Sequence, residues 1–342
     1  MTSERKLRCS APGRAGIVGN PTDMYGGAVM SCSVPMRAWV EIVPAETLTL
    51  RAGDECVHVR SLEDLRPRGD RFDLARAVLR YFKLPALRAE ITLDSDIPMQ
   101  SGLAGSTALL VALTAGVFAW LGQRPHRYQI AETARFIELN YLEVVCGYQD
   151  AYMATFGGLN YMDFRGKQFY RTLEAELFGT VEPLAEVAPL LPFVLAYTGI
   201  RHHSGEVHKP LRERWLDGEP EVVRAYERIT ELAALGKRAL LRADWDELAA
   251  AMNENHAIQR DLGGSGEHNE VLIQAARRAG APAAKLAGAG GGGTIIALWP
   301  FPDRAPLEAA LRSAGASALY DVKPVAGVTV EEADAGAAAG HL

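Results

Sequence analysis

Between Ile97 and Leu109 the chain reads Ile-Pro-Met-Gln-Ser-Gly-Leu-Ala-Gly-Ser-Thr-Ala-Leu, small residues leading straight into an apolar run. Such a segment can bind an anion. Gly102 and Gly105 let the backbone close on an oxyanion, and the free N–H groups and dipole of a helix starting there would face it. The Ser106 and Thr107 hydroxyls could reach a phosphate or a metal ion. Acting only as helix caps, they would make the same segment a tight turn and nothing more. The Walker spacing, GxxxxGK followed by Ser or Thr, is absent, so a nucleotide would need another phosphate-binding arrangement.

Two further segments carry candidate chemistry. Lys285-Leu-Ala-Gly-Ala-Gly-Gly-Gly-Gly-Thr-Ile-Ile296 contains the GxGxxG spacing from Gly288 to Gly293. It leads into a strand, whereas a dinucleotide fingerprint leads from a strand into a helix. It reads either as a flexible turn or as a second backbone wall around phosphates, with Gly290 and Gly291 at its centre. The segment Ala11–Gly27 places Arg14, Asn20, Asp23 and Tyr25 among turn residues, where polar side chains can converge on a hydroxylated ligand.

The elements that must position these groups are legible in outline. Leu74, Ala77, Val78, Tyr81 and Phe82 follow helical spacing, and Leu87–Leu93 alternates apolar and polar residues like a strand with one buried face. Ala38–Val43 and Thr47–Leu50 add strands, giving an α+β first half. Prolines at 183, 189 and 192 mark Val181–Pro192 as a boundary ahead of a buried strand, Phe193–Tyr197. Helical patterns over Glu221–Arg242 and Trp245–Ile258 follow, then the strand Thr294–Leu298. Two domains are therefore expected, residues 1–188 and 189–330, with an acidic, Ala- and Gly-rich mobile tail over 331–342.

Composition narrows the partners. The chain has 342 residues, 48% hydrophobic and 23% charged, the balance of a folded protein with a sizeable core. A net charge of −6 offers no basic surface to nucleic acid. Cys9, Cys32, Cys56 and Cys146 show no CxxC or zinc spacing and read as reduced thiols of a cytoplasmic chain. The N-terminal residues lack the apolar core of a secretory signal. Leu103–Leu121 is uncharged for 19 residues, but Gly105, Ser106, Thr107, Thr114 and Gly116 interrupt it. It reads as a buried helix rather than a membrane span.

In this order the three segments resemble the three motifs of the GHMP kinases, the superfamily of galactokinase, homoserine kinase, mevalonate kinase and phosphomevalonate kinase. The resemblance runs from Ala11 to about Leu298. It implies an α+β fold of two domains: an N-terminal domain with a left-handed βαβ unit, which general handedness rules would not give, and a ferredoxin-like C-terminal domain. Asn20–Gly27 is similar to the sugar-binding turn of galactokinases, and Tyr197-Thr-Gly-Ile-Arg-His-His-Ser204 to a segment of heptose-phosphate kinases. GNPTDMYGG, GLAGST and the run Phe156–Phe164 look most like the glucuronokinase-type branch.

The resemblance also assigns roles. Asp150, in Cys146-Gly-Tyr-Gln-Asp150, sits where galactokinases carry CGxMD with their catalytic aspartate, which takes the proton of the sugar hydroxyl. Glu138, twelve residues earlier, has the spacing of their magnesium-binding glutamate; otherwise it is an exposed helical carboxylate paired with Arg135. Arg14 aligns with the basic residue after Ala-Pro-Gly and would offset negative charge beside Asp150. Ser106 falls on the magnesium-contacting serine of GLGSS or GLSSS, although this chain writes Ala104-Gly105-Ser106-Thr107. Pro98, Gly102, Leu103, Ala104, Gly105, Ser106 and Thr107, with Gly290 and Gly291, would surround ATP, and Ser106 and Glu138 would hold Mg2+.

Asp23 is the first candidate for the sugar, because a carboxylate can accept from two vicinal hydroxyls; Asn20, Tyr25 and Gly26 stand beside it. Arg201 is the first candidate for a substrate carboxylate or phosphate, ahead of Arg37, His202 and His203. The expected activity is phosphorylation of a sugar or sugar acid, at the anomeric hydroxyl, by Mg–ATP. The rivals are a heptose-phosphate, galactose-type or mevalonate-type kinase, and a catalytically silent ligand-binding member. The expected partner is the small-molecule acceptor, without nucleic acid or membrane, and the chain would act as a monomer or homodimer.

Overall fold

The computed structural model describes residues 5–167, 177–188, 191–200 and 204–334. Its larger sheet has the order β12-β1-β2-β5-β3-β4. These strands are β1 (Arg5–Val18), β2 (Ala28–Pro44), β3 (Leu48–Ala52), β4 (Glu55–Val59), β5 (Ala89–Ser95) and β12 (Thr329–Asp334). Two more, β6 (Leu159–Asp163) and β7 (Thr180–Pro183), extend it from β2. The long β2 shares one edge between two partners, Ala28–Cys32 with β6 and Ala38–Pro44 with β5.

Alternation explains the strands. In β5, Ala89, Ile91 and Leu93 are buried while Glu90 and Thr92 are only partly covered, the period of a pleated strand on a core. β3 and β5 pair in parallel, and α1 (Asp73–Tyr81) lies in the connection between them. Against this sheet packs α2 (Gly105–Trp120), whose residues Leu110 to Phe118 are buried all round. α3 (Arg127–Asn140) and α4 (Gln149–Phe156) flank it. The uncharged run is thus a core helix, and no helix among the described residues is long and apolar enough to cross a membrane.

The second sheet contains β8 (Phe193–Tyr197), β9 (Ala283–Leu286), β10 (Thr294–Leu298) and β11 (Ala318–Asp321) in the antiparallel order β11-β8-β10-β9. Helices α5 (Ser204–Leu216), α6 (Pro220–Leu241), α7 (Trp245–Asp261) and α8 (Glu267–Arg278) join β8 to β9, and α9 (Ala305–Ser313) joins β10 to β11. That is the split β-α-β arrangement of ferredoxin-like folds. Alternate residues of β8 and β10 face opposite ways. Val194, Ala196 and Ile295 join a core with α8 and α9, whereas Phe193, Leu195 and Ile296 join the large core that also contains α2 and α7.

The mobile tail expected over 331–342 is corrected at its start. Residues 329–334 form β12, paired with β1 so that Arg8 stands opposite Glu331. Opposite charges across an antiparallel pair are favourable, so the acids read as a sign of a solvated tail line a sheet edge instead. The expected division at residue 189 is crossed by this return: the C-terminal part ends in the first sheet.

Candidate active site

A register shift in the β1–β2 pairing between Pro12 and Arg14 breaks the ladder at Gly13, and such bulges re-aim the next side chain. A side chain at Gly13 would meet the Leu103 carbonyl oxygen at 2.6 Å, so the glycine-loop backbone lies directly on β1. Arg14 donates its backbone N–H to that carbonyl at 3.0 Å. Its guanidinium reaches the Gly102 carbonyl through Nη1 at 2.6 Å and the Asp150 carboxylate through Nε at 2.8 Å and Nη2 at 2.6 Å. Arg14 therefore ties the glycine loop to Asp150 across 136 residues of sequence.

The loop itself has the geometry of an anion cradle. Gly102 has φ 77° and Ala104, at the N-cap of α2, has φ 60°. No side chain caps that helix, which leaves its first N–H groups for another acceptor. Capping by Ser106 or Thr107 is thereby excluded: Ser106 is exposed on the cleft wall, and the Thr107 hydroxyl lies 3.0 and 3.1 Å from the two Glu138 oxygens. Glu138 is buried at 6% exposure, not the exposed helical carboxylate of the alternative reading. Burial first, and the nearby Asp150 charge second, push its carboxyl up to about 7, against the Thr107 hydrogen bond and the charges of Arg135 and Arg14.

Asp23 carries an unexpected load. Its Oδ2 accepts the backbone N–H groups of Tyr148 at 2.8 Å and Gln149 at 2.9 Å, so it caps α4, the helix that bears Asp150. A side chain at Gly147 would collide with that carboxylate, which explains the glycine. Oδ1 is left for a ligand. Burial raises the Asp23 carboxyl to about 6; the two backbone hydrogen bonds act in the opposite direction.

All these groups line one cleft of about 650 Å³. Its wall contains Arg14, Asn20, Asp23, Gly102, Ala104, Gly105, Ser106, Thr107, Glu138 and Asp150. The oxygen donors Ser106 and Glu138 are of the hard type that Mg2+ takes alongside phosphates and waters. A divalent cation would also offset the charge that burial leaves uncompensated at Glu138. The residues present fit such an ion.

Other expected site residues lie elsewhere. Tyr25 is stacked on Tyr226 with ring centroids 4.3 Å apart and packs on Trp215 at 5.0 Å. Gly26 ends the short 3-10 turn Thr22–Tyr25 at φ 76°. Neither lines the cleft. Gly288 and Ala289 do line it, whereas Gly290 and Gly291 lie behind, with Gly290 against the Gly264 carbonyl and Gly291 beside Gly266. Leu103 is wholly buried and contributes its carbonyl to Arg14, and Pro98 stays off the wall. The Arg37 guanidinium holds the Ala326 and Gly327 carbonyls at 2.8 and 2.7 Å and is part of the scaffold. Arg201, His202 and His203 lie outside the described residues.

Sequence reasoning missed Lys209 of α5, the Leu142–Val145 loop and Pro67, Gly69, Asp73 and Leu74, all on the cleft wall. No local signal marks Lys209, whose place depends on how α5 docks. The glycine at 147, inside a motif already noted, could have indicated a close approach.

Comparison with known proteins agrees with this geometry. The family pattern for the GHMP kinases N terminal domain matches residues 72–158, and that for the GHMP kinases C terminal matches residues 237–318. The chain is similar to glucuronokinase 1 of Arabidopsis thaliana, 30% identical over 302 residues, covering 81% of each chain. It is 26% identical to the D-glycero-alpha-D-manno-heptose 7-phosphate kinase of Campylobacter jejuni, covering 85% of this chain and 89% of that one. Its fold matches the galactokinase of Lactococcus lactis, solved with galactose, at a TM-score of 0.77 and 16% identity, over 96% of this chain and 95% of that one.

Proposed function

The chain belongs to the GHMP kinase family and is an ATP-dependent phosphotransferase with an alcohol acceptor, and on that premise we propose that it phosphorylates a sugar or sugar acid, as glucuronokinases do. The observation that carries this reading is the Arg14–Asp150 pair set against the uncapped start of α2 in one cleft. The similarity to glucuronokinase 1 supports a sugar acid as acceptor. Among the described residues, Lys209 is a cation on that wall, besides Arg14, available to a carboxylate. The spacing of the four cysteines, with no CxxC pair or disulfide framework, supports a cytoplasmic setting.

Phosphoryl transfer depends on alignment and charge neutralisation more than on covalent help. The N–H groups from Gly102 to Thr107 would hold the phosphates, and Ser106 and Glu138 would hold Mg2+, which offsets charge on the phosphate oxygens when bound. Asp150 would accept the proton of the acceptor hydroxyl as its oxygen bonds to the γ-phosphorus and the bond to ADP breaks. Arg14 would fix the Asp150 carboxylate in place and balance negative charge beside it.

The test is ATP consumption across free uronic acids, hexoses, heptose phosphates and mevalonate, with the product hydroxyl assigned by phosphorus NMR. Turnover of uronic acids or hexoses at the anomeric position is expected. Efficient turnover of mevalonate with none of the sugars would overturn the sugar reading and leave the family chemistry standing.

A further inference from the structure

Lys285, in β9, is completely buried, yet it forms no ion pair with an acid among the described residues. Its Nζ donates instead to the Asn20 Oδ1 at 2.8 Å and to the Leu286 carbonyl at 2.6 Å. An ammonium without a counter-charge is a costly thing to bury, and replacing it by an apolar side chain would remove that cost. The amine faces Asn20, a cleft residue held at both of its side-chain polar atoms. Asn20 Nδ2 donates to the Gly288 carbonyl at 3.3 Å, and the Asn20 backbone carbonyl accepts from Asn255 of α7 at 3.2 Å. Gly19 N–H in turn donates to Asn255 at 2.9 Å.

The chemistry of these partners dictates an orientation. A protonated lysine is donor-only, whereas an amide has one accepting and one donating end. The Asn20 oxygen must therefore face Lys285, and the NH2 must face the other way. Gly288 takes one of its two hydrogens, through a long bond. We propose that Lys285 is a positioning residue for the acceptor: it locks the Asn20 amide so that its remaining N–H is presented to an acceptor oxygen in the cleft. The inference rests on the reading of this turn as the acceptor site. It goes beyond that reading by assigning a role to a residue that touches neither substrate nor metal.

Burial, and then the charge of Arg14, lower the Lys285 ammonium to about 7. The groups facing it are Arg14 of β1 and His256 of α7; Glu270 of α8 contacts the far nitrogen of His256 at 2.9 Å. Above that pH the amine gains a lone pair, can accept as well as donate, and no longer enforces one amide orientation.

The experiment compares Lys285→Met, Lys285→Gln, Asn20→Ala and the Lys285→Met/Asn20→Ala double variant, measuring KM for the best acceptor and for ATP, and kcat. Lys285→Met is expected to raise the acceptor KM about tenfold, the worth of one hydrogen bond, with the ATP KM and kcat within about twofold. Lys285→Gln, whose amide can still donate to Asn20, is expected to recover most of the loss. In the Asn20→Ala background, Lys285→Met is expected to add less than about twofold, the non-additivity of residues acting through one another. The wild-type acceptor KM is expected to rise as the pH passes through about 7, and that rise is expected to vanish in Lys285→Met.

Equal losses in both KM values, full additivity, or an unchanged acceptor KM in Lys285→Met would overturn the assignment. If Lys285→Met does not fold, Lys285→Gln decides: no recovery relative to Asn20→Ala overturns it equally. A wild-type enzyme that phosphorylates no alcohol tested would instead defeat the acceptor reading, before any variant is compared.

Discussion

The two ends of the cleft are built in opposite ways. At the proposed phosphate end the groups on offer are main-chain atoms of residues 102–107, shaped by their own glycines and by the start of α2. Groups from motifs far away in sequence support them: the Thr294 hydroxyl donates to the Ser101 carbonyl at 2.8 Å, and the Arg14 backbone N–H to the Leu103 carbonyl at 3.0 Å. At the acceptor end the working groups are side chains, each held by a partner remote in sequence, as with Asp23 under Tyr148 and Asn20 under Lys285. Backbone cradles recognise what all members of a family share, a phosphate chain. Side chains propped from a distance can be exchanged one at a time, so selectivity between alcohols belongs at that end.

The largest effect is expected where the two ends meet. Asp150→Asn removes the proton acceptor while keeping volume and most hydrogen bonding, so kcat should fall by about 10²–10⁴-fold with acceptor affinity largely kept. Steady-state kinetics together with acceptor binding by calorimetry measures both. Near-normal turnover would remove Asp150 from the chemistry and leave the cleft a binding site only.

Next comes the backbone contact that supports the phosphate end. A Cβ at Gly288 would lie 2.4 Å from the Gly102 carbonyl oxygen, main chain against main chain. Gly288→Ala must therefore push the glycine loop aside. An increase in ATP KM of about tenfold and a stability loss of about 1–3 kcal/mol are expected, read by kinetics and thermal melting. A variant with normal ATP affinity would show that the loop does not depend on this support.

A smaller, pH-dependent effect separates the metal-side carboxylate from the rest. The Glu138 carboxyl is raised from 4.5 to about 7 in the folded protein. A group raised in this way adds stability below its unfolded value and loses that contribution as pH climbs through the folded one. Without divalent cation, the wild type should lose stability relative to Glu138→Gln between pH 4.5 and about 7, and added Mg2+ should return part of it only to the wild type. Melting curves for both proteins across that window check the sign; parallel curves would mean that Glu138 is not the titrating group.

This contrast also explains what was legible in advance. The glycine loop could be read because local residue types set its backbone, whereas Glu138 and Asp150 were singled out by the resemblance of their motif and spacing to those of galactokinases. Phe193–Tyr197 and Thr294–Leu298 are strands at the residues expected, since continuous apolar runs bounded by turns leave little choice. What could not be read depends on docking. Nothing in the sequence near Asp23 says that it will cap a helix 125 residues away, and nothing near Lys285 says that its amine will meet Asn20. The acids of β12 were misread because composition alone cannot distinguish a solvated tail from a strand facing Arg8.

The smallest effect tests whether position within the acceptor turn is enough to make a residue part of the site. Tyr25 belongs to the same turn as Asn20 and Asp23, yet its ring lies between Trp215 and Tyr226, outside the cleft wall. Its hydroxyl is shielded enough that burial raises its ionisation far above the ordinary range. Tyr25→Phe keeps the ring and its stacking, so the acceptor KM should change by less than about twofold, as for a surface-neutral change. Tyr25→Ala removes a stacked aromatic pair worth about 0.5–1.5 kcal/mol beyond its buried area, and should lower the melting temperature well before it alters kcat. A substantial rise in acceptor KM for Tyr25→Phe alone would put the hydroxyl in contact with the acceptor. The turn would then act as a unit, and the division between side chains that recognise and side chains that support would have to be redrawn through Tyr25.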